Sequence, residues 1–198
     1  MPLLQLDSSF AGLRLSEKAH LTAEYTVAAW SPEGEDEITP GHPVPPTLLA
    51  VGSRSGAIVL WDTVRAEVSA RLGGEASPSM SVGSKRPRQD QGGATASRHT
   101  SPVTALTWSA DGTQLFSGAE GSGTVICWDI ASRRSLRTFA CDRRGCSSLA
   151  LSHDAATLFA AYTDILVIDT ASSRTLKRLS GHALPVTAMR VAAEDDVS

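Results

Sequence analysis

Short apolar runs separated by polar, glycine-containing turns recur along this chain of 198 residues. Such runs, rich in Val, Ile, Leu, Thr and aromatic residues and bounded by Gly, Asp and Ser, are typical of β-strands. No segment has the periodicity of a long amphipathic helix, so the pattern predicts an all-β fold. The predicted strands form three successive copies, at 26–30, 48–53, 57–62 and 67–72, at 103–108, 114–118, 124–129 and 135–139, and at 146–151, 157–161, 165–169 and 175–179.

The copies repeat with the period of roughly 40–45 residues that characterises propeller blades. Trp108, which ends a predicted strand, recurs as Leu151, 43 positions later, and Trp128 recurs as Ile168, 40 positions later. The same landmarks return upstream and downstream, at Trp30, Trp61 and Asp62, and at Gly181 and His182. Four strands in each period predict a β-propeller fragment with about three full four-stranded blades and partial blades at both ends.

We expect the whole chain, 1–198, to be one partial propeller interrupted by two flexible insertions. Trp61 lies 67 residues before Trp128, about 25 more than one blade requires, and the surplus falls in a polar segment at 73–98. A second insertion, acidic and rich in proline, is expected at 33–46. Segments of this composition cannot bury enough apolar surface to fold by themselves. The expected blades cover 20–72, 99–139 and 146–180, with a blade remnant at 3–15 and the first strand of a further blade at 181–191.

The paired landmarks, Gly with His at the start of a copy and Trp with Asp at the end of its third strand, resemble those of the WD-repeat family. The resemblance covers nearly the whole chain and implies a β-propeller that binds other proteins. It also implies a structural blade signature in this sequence, made up of His20, Trp61, Asp62, His99, Trp128, Asp129, Asp169, Gly181 and His182.

In WD-repeat blades a His, a Ser or Thr on the second strand, a turn Asp and the Trp often form one hydrogen-bonded set. The resemblance implies that this set is incomplete in every copy here. The first copy offers a His and a Trp but departs at two positions, the second departs at the turn, and the third lacks the His and the Trp. The departures are Val51 and Arg54, then Glu120 or Gly121, then Ile168.

Several stretches between the landmarks resemble, within that family, the nucleolar WD-repeat proteins of the small-subunit processome. They are Lys18–Leu21, Leu48–Ser53, Ile58–Leu60, Thr63–Glu67 and Ser180–Thr187, of which Thr63–Glu67 is the least generic. The resemblance implies a nuclear, nucleolar protein acting in pre-rRNA transcription and small-subunit rRNA processing. It implies other WD-repeat subunits of the processome as partners, with weak or indirect pre-rRNA contact, no membrane and no small-molecule substrate. A generic WD-repeat adaptor, such as a ubiquitin-ligase substrate receptor or a signalling scaffold, stays open as the alternative.

The net charge of the chain bears on which classes of partner it could attract. The net charge is −3, so no overall basic field attracts nucleic acid or an acidic membrane. No apolar run approaches the roughly 18 residues that span a membrane. The one compact basic cluster, Lys85, Arg86 and Arg88, lies in the insertion at 73–98 and is a candidate nuclear-import signal. A solvated basic loop is the alternative interpretation of this cluster.

No group of residues has the spacing that catalysis or metal binding requires. The five histidines show no metal-ligand spacing, and the sequence contains no nucleophile motif, P-loop or dinucleotide-binding motif. Cys127, Cys141 and Cys146 form no Cys-x-x-Cys pair, so reduced thiols are expected, with a labile bridge between the last two as the alternative. All four tryptophans are expected to pack between blades. We therefore expect a protein that is not an enzyme and has no catalytic residue, cofactor or metal.

Overall fold

The computed structural model describes residues 24–32, 48–73 and 98–191, in which every regular element is a β-strand. The predicted blade remnant at 3–15 lies outside these ranges, as do the insertions at 33–46 and 73–98 apart from residues 73 and 98. The strands are β1 (Tyr25–Trp30), β2 (Leu48–Ser53), β3 (Ile58–Asp62), β4 (Glu67–Leu72), β5 (Val103–Trp108), β6 (Gln114–Ala119), β7 (Thr124–Asp129), β8 (Arg134–Ala140), β9 (Ser148–Leu151), β10 (Thr157–Ala161), β11 (Ile165–Asp169) and β12 (Thr175–Leu179).

The strands form three four-stranded antiparallel sheets within the described ranges. The first sheet holds β1 to β4, the second β5 to β8 and the third β9 to β12, each with its strands in chain order. Short turns join neighbouring strands of each sheet except β1 and β2, and each sheet has the strand order of a meander, which is the architecture of a propeller blade. The prediction of an all-β chain built from four-stranded blades is therefore confirmed, and the strand ends lie within two residues of the expected ones.

A serine holds the turn between the first and second strands of each blade. Its hydroxyl oxygen accepts a hydrogen bond from the backbone amide that begins the second strand, over 2.9 to 3.0 Å. The pairs are Ser31 with Leu48, Ser109 with Gln114, and Ser152 with Thr157. In the first blade this bond joins Ser31, just after β1, to Leu48, the first residue of β2.

Two apolar cores lie between the blades, one on each side of the second blade. The second sheet presents side chains to both neighbours because successive side chains of a strand point to opposite faces. The core between the first and second blades contains Ala50, Ile58, Leu60, Ala70, Leu72, Val103, Trp108, Leu115, Ile126 and Trp128. The core between the second and third contains Ala105, Phe116, Val125, Cys127, Phe139, Cys146, Leu149, Leu158, Ala160, Leu166 and Ile168. The second blade is thus buried on both faces.

A repeated hydroxyl contact links each blade to the segment that follows it. The hydroxyl of a residue in or just before a first strand donates to a backbone carbonyl at the same place in the next copy. The donor and acceptor pairs are Thr26 with Val103, Thr104 with Cys146, and Ser147 with Val186. Successive copies are therefore stacked with the same offset.

The segment 181–191 differs from the prediction, because the structure assigns no strand to it. Val186 nevertheless occupies the position that begins a new copy: its amide donates to Tyr162 O (2.7 Å), and its carbonyl accepts from the Ser147 hydroxyl (2.8 Å). A strand needs a hydrogen-bonded neighbour along its length. The described residues supply no second strand for this segment, so it lies against the third blade without becoming part of a sheet.

Two glycines on second strands allow the blades to approach closely. A Cβ built on Gly52 would lie 2.7 Å from Val103 Cβ, and one on Gly118 would lie 2.6 Å from Cys146 Cβ. The neighbour in each case begins the next copy. Since real Cβ atoms do not approach so closely, these positions require glycine for the observed stacking.

We predict that Gly118→Ala separates the second and third blades and lowers the free energy of unfolding by about 1–3 kcal/mol, the usual cost of overpacking a well-packed core. The added methyl meets both Cβ and Sγ of Cys146, which is itself buried. Chemical denaturation of the two proteins measures the difference. The equivalent residue of the third blade is Ala161, so Ala161→Gly serves as the reverse change. An unchanged midpoint for Gly118→Ala would contradict the close approach.

Candidate functional site: the blade signature and the outer strands

The second blade contains a buried chain of three polar side chains. Ser117, on β6, is fully buried, and its Oγ accepts a hydrogen bond from Trp128 Nε1 on β7 (2.8 Å). His99, just before the blade, places Nε2 2.8 Å from the same Oγ and 3.2 Å from Ser117 O. Three of the four members of the set implied by the family resemblance are therefore in contact in this blade.

The fourth member of the set, a turn aspartate, is absent from this blade, and His99 has an unpaired ring nitrogen within the described ranges as a result. His99 Nδ1 is buried without a hydrogen-bond partner in the described part of the chain. Glu120 and Gly121 stand at the turn where an aspartate would accept from this nitrogen, and Glu120 is exposed. Burial lowers the pKa of His99 to about 4, against a partial opposing effect of its hydrogen bond to the Ser117 backbone. The ring is therefore neutral at physiological pH.

The other two blades replace this chain with apolar contacts. In the first, Val51 stands at the serine position and is buried, while Trp61 is half-buried. In the third, Ile168 replaces the tryptophan and lies fully inside the core. His20 lies outside the described residues. Gly181 and His182 are exposed, and His182 makes no hydrogen bond within the described ranges, because no blade closes around it there.

The aspartates that end the third strands hold turns. Each carboxylate accepts a hydrogen bond from the backbone amide three residues later, over 2.7 to 2.9 Å. The pairs are Asp62 with Arg65, Asp129 with Ser132, and Asp169 with Ser172. Hydrogen bonds from the hydroxyl and amide of Ser132 lower the pKa of Asp129, and those from Ser172 do the same for Asp169. These carboxylates therefore stabilise the turns by accepting hydrogen bonds from the backbone.

Of the four tryptophans predicted to pack between blades, Trp108 and Trp128 do so within the described residues. Trp128 is 1% exposed, and Trp108 reaches the first blade, where its Nε1 donates to Ala29 O (3.0 Å). Trp30 occupies the position of Trp108 one blade earlier, yet it is 61% exposed. The difference arises because the described residues place no blade against that face of β1.

The cysteines are free thiols. Cys127, Cys141 and Cys146 form no disulfide, so the alternative of a bridge between the last two is not observed. Burial raises the pKa of Cys127 and Cys141 to about 11 and that of Cys146 to about 12, which keeps all three protonated at neutral pH. Among the described residues no cluster of His, Cys, Asp and Glu could hold a metal ion, and no helix is long and apolar enough to cross a membrane.

The outer strands of the second and third blades carry a feature that the blade landmarks do not include. The sequence Arg-Ser-Leu-Arg at 134–137 recurs as Arg-Thr-Leu-Lys at 174–177, 40 residues later. Both leucines lie at a β-bulge, where the outer strand has one residue more than its neighbour. The repeat is visible in the sequence, but only the structure shows that the side chains at these positions are exposed.

Comparison with known proteins supports the blade assignment. The family model of the WD domain, G-beta repeat, matches residues 93–129, which include β5, β6 and β7. The sequence matches none of the curated proteins with which it was compared.

Solved structures show the same fold at low sequence identity. The WD40 repeats of RRP9 align with a TM-score of 0.63 and 20% identity, covering 85% of this chain and 42% of that one. The structure of U3-55K aligns with a TM-score of 0.61 and 20% identity, covering 85% and 43%. This chain therefore spans less than half the length of either protein. At such identity the likeness shows the fold, a fragment of a WD40 propeller.

Proposed function

We propose that this WD40-repeat chain is part of a protein-interaction scaffold that acts in nucleolar ribosome biogenesis, in pre-rRNA transcription and small-subunit rRNA processing. WD40-repeat proteins are generally scaffolds without catalytic activity. The observation that carries the scaffold role is the use of the polar signature residues. His99, Ser117 and Trp128 bond to one another inside a blade, and Asp129 and its equivalents hold turns. Apart from the buried His99 Nδ1, the polar atoms of these side chains are engaged in structural hydrogen bonds, so we infer that this chain serves as a scaffold and not as an enzyme.

The nucleolar part of the proposal depends on sequence stretches that the fold does not require. Thr63–Glu67 resembles the corresponding stretch of WD repeat-containing protein 43, a nucleolar subunit of the small-subunit processome, and all five residues are exposed, in the turn after β3 and at the first residue of β4. An exposed turn can vary without affecting the core, so its resemblance is more informative than that of buried residues. A propeller fold by itself is compatible with many functions.

The proposed partners follow from the same resemblance. They are other WD-repeat subunits of the processome, with pre-rRNA contact weak or indirect. The candidate import cluster, Lys85, Arg86 and Arg88, lies outside the described residues and supplies a proposed route to the nucleus.

Tagging and depletion of the complete cellular protein that contains this chain test the proposal. We expect nucleolar concentration, co-purification with WD-repeat subunits of the early pre-ribosome, and a change in the earliest pre-rRNA species after depletion. Alanine substitution of Lys85, Arg86 and Arg88 together separates import from assembly, since it affects location only. A diffuse cytoplasmic signal with unchanged early pre-rRNA would overturn the nucleolar role and leave the generic WD-repeat adaptor.

A further inference from the structure

The outer strands of the second and third blades present the same arrangement of cations and an apolar side chain. We call this arrangement the outer-strand surface, and it consists of Arg134, Leu136, Arg137, Arg174, Leu176 and Lys177. Arg134 lies opposite Asp129 and Arg137 opposite Cys127 in the sheet register, and Lys177 takes the place of Arg137 opposite Val167. Positions that match in register lie at the same place on each blade.

Both leucines are exposed, and both lie at a bulge of the outer strand. The register skips one residue between the partners of Cys127 and Trp128, and the extra residue is Leu136. The same irregularity in the third blade produces Leu176. Leu136 is 51% exposed and Leu176 is 65% exposed, although both belong to strands of well-formed sheets. An exposed leucine at the same structural position in two blades is a repeated feature of the surface.

The first blade bulges at the same place and serves as an internal comparison. Its extra residue, between the partners of Leu60 and Trp61, is Ser69, and Glu67 stands where the second blade has Arg134. The bulge therefore does not require a leucine, and the strand start does not require an arginine. The cationic and apolar character belongs to the second and third blades alone among the described ones.

The cations of this surface are available to a ligand. Arg134, Arg174 and Lys177 are exposed and form no ion pair or hydrogen bond through their side chains within the described ranges. Arg137 crosses between the blades, where its Nη1 donates to Thr170 O (2.7 Å) and Ala171 O (3.1 Å). The acceptors are carbonyls of the turn between β11 and β12, so the contact joins β8 to the third blade without pairing the guanidinium with a carboxylate.

We propose that the outer-strand surface binds an acidic, extended peptide segment of another protein, with leucine-like side chains seated on Leu136 and Leu176. Arginine and lysine attract carboxylates, and the guanidinium fork pairs with them in a bidentate fashion. Apolar contact with the two leucines adds burial that a purely ionic partner cannot supply. This inference goes beyond the proposed function and does not depend on where the protein acts.

An RNA ligand and a purely protective role each fit the outer-strand surface less well than an acidic peptide does. Single-stranded RNA is bound through phosphate contacts together with aromatic side chains that stack on bases, and the aromatic residue of β8, Phe139, is 1% exposed. Protection of the strand edge against aggregation accounts for the cations and the bulges. It does not account for the leucines, since a serine such as Ser69 would protect an edge better.

Fluorescence anisotropy with synthetic probes tests the proposal on the full chain. The probes are a labelled peptide of repeated Asp-Asp-Leu units, a matched Asp-Asp-Ser peptide and an oligouridylate RNA. We expect the leucine-containing peptide to bind most tightly. Leu136→Ser with Leu176→Ser should weaken that binding by about tenfold or more, and so should Arg134→Glu with Arg174→Glu. Serine and glutamate already occur at the matching positions of the first blade, so folding is expected to be retained, and thermal unfolding checks this.

Val64→Ser is the matched control, because Val64 is 77% exposed on a turn of the first blade and lies outside the outer-strand surface. It should leave peptide binding unchanged. Equal binding of the two peptides, or an equal loss in the control, would overturn the proposal. Preferential binding of the RNA, or no binding of any probe, would overturn it as well.

Discussion

Replacing Trp128 by alanine is expected to lower the free energy of unfolding by about 3–5 kcal/mol, the range for removing a large aromatic side chain from a core. The side chain is 1% exposed and belongs to the core between the first and second blades. Its ring also extends to the end of the first blade, since a Cβ built on Gly73 would lie 3.2 Å from Trp128 Cη2. The substitution therefore removes a contact between blades together with the donor to Ser117.

Trp128→Phe separates these two losses. It keeps most of the ring but removes the indole donor from Ser117 Oγ, which still bonds to His99, so the lost hydrogen bond should cost about 0.5–1.5 kcal/mol. Urea denaturation monitored by circular dichroism gives both values. Trp61→Ala is the control at the equivalent, half-buried position of the first blade, and it should cost less. Equal losses for Trp61→Ala and Trp128→Ala would show that the second blade is not the better buried one.

Lowering the pH from 6.5 to about 4 is expected to reduce the stability by about 3 kcal/mol through His99 alone. Burial lowers the pKa of this histidine from 6.5 to about 4. Across that window the unfolded chain takes up a proton that the folded protein does not, so acidification favours unfolding. The loss is complete once the pH falls below the folded pKa. The pKa values of Asp129 and Asp169 are also lowered. Their protonation therefore reduces the stability only at pH values below the usual pKa of a carboxyl group.

The free energy of unfolding, measured at several pH values across this window, checks the prediction. His99→Gln should be less stable at neutral pH but should lose most of the dependence between pH 6.5 and 4. His153→Gln, at an exposed turn, is the control and should keep the dependence of the unaltered protein. A chemical shift titration of His99 with a midpoint near its ordinary pKa would contradict the buried, neutral ring.

The sequence by itself determined the blades. Strands and turns follow from local patterns, namely short apolar runs, turn residues such as Ser109 and Asp129, and the period that relates Trp128 to Ile168. Such signals act over a few residues, so they predict elements wherever tertiary contacts agree with them. For this reason the all-β class and all twelve strands of the described ranges could be predicted without a structure.

Only the tertiary structure decided how residues at equivalent positions differ. Trp30 and Trp108 end corresponding strands, yet the first is 61% exposed and the second 9%. The exposure of Leu136 likewise could not be derived from spacing. Burial depends on what packs against a blade face, and that neighbour comes from a distant part of the chain. A local pattern identifies the side chain but contains no information on whether another blade covers it.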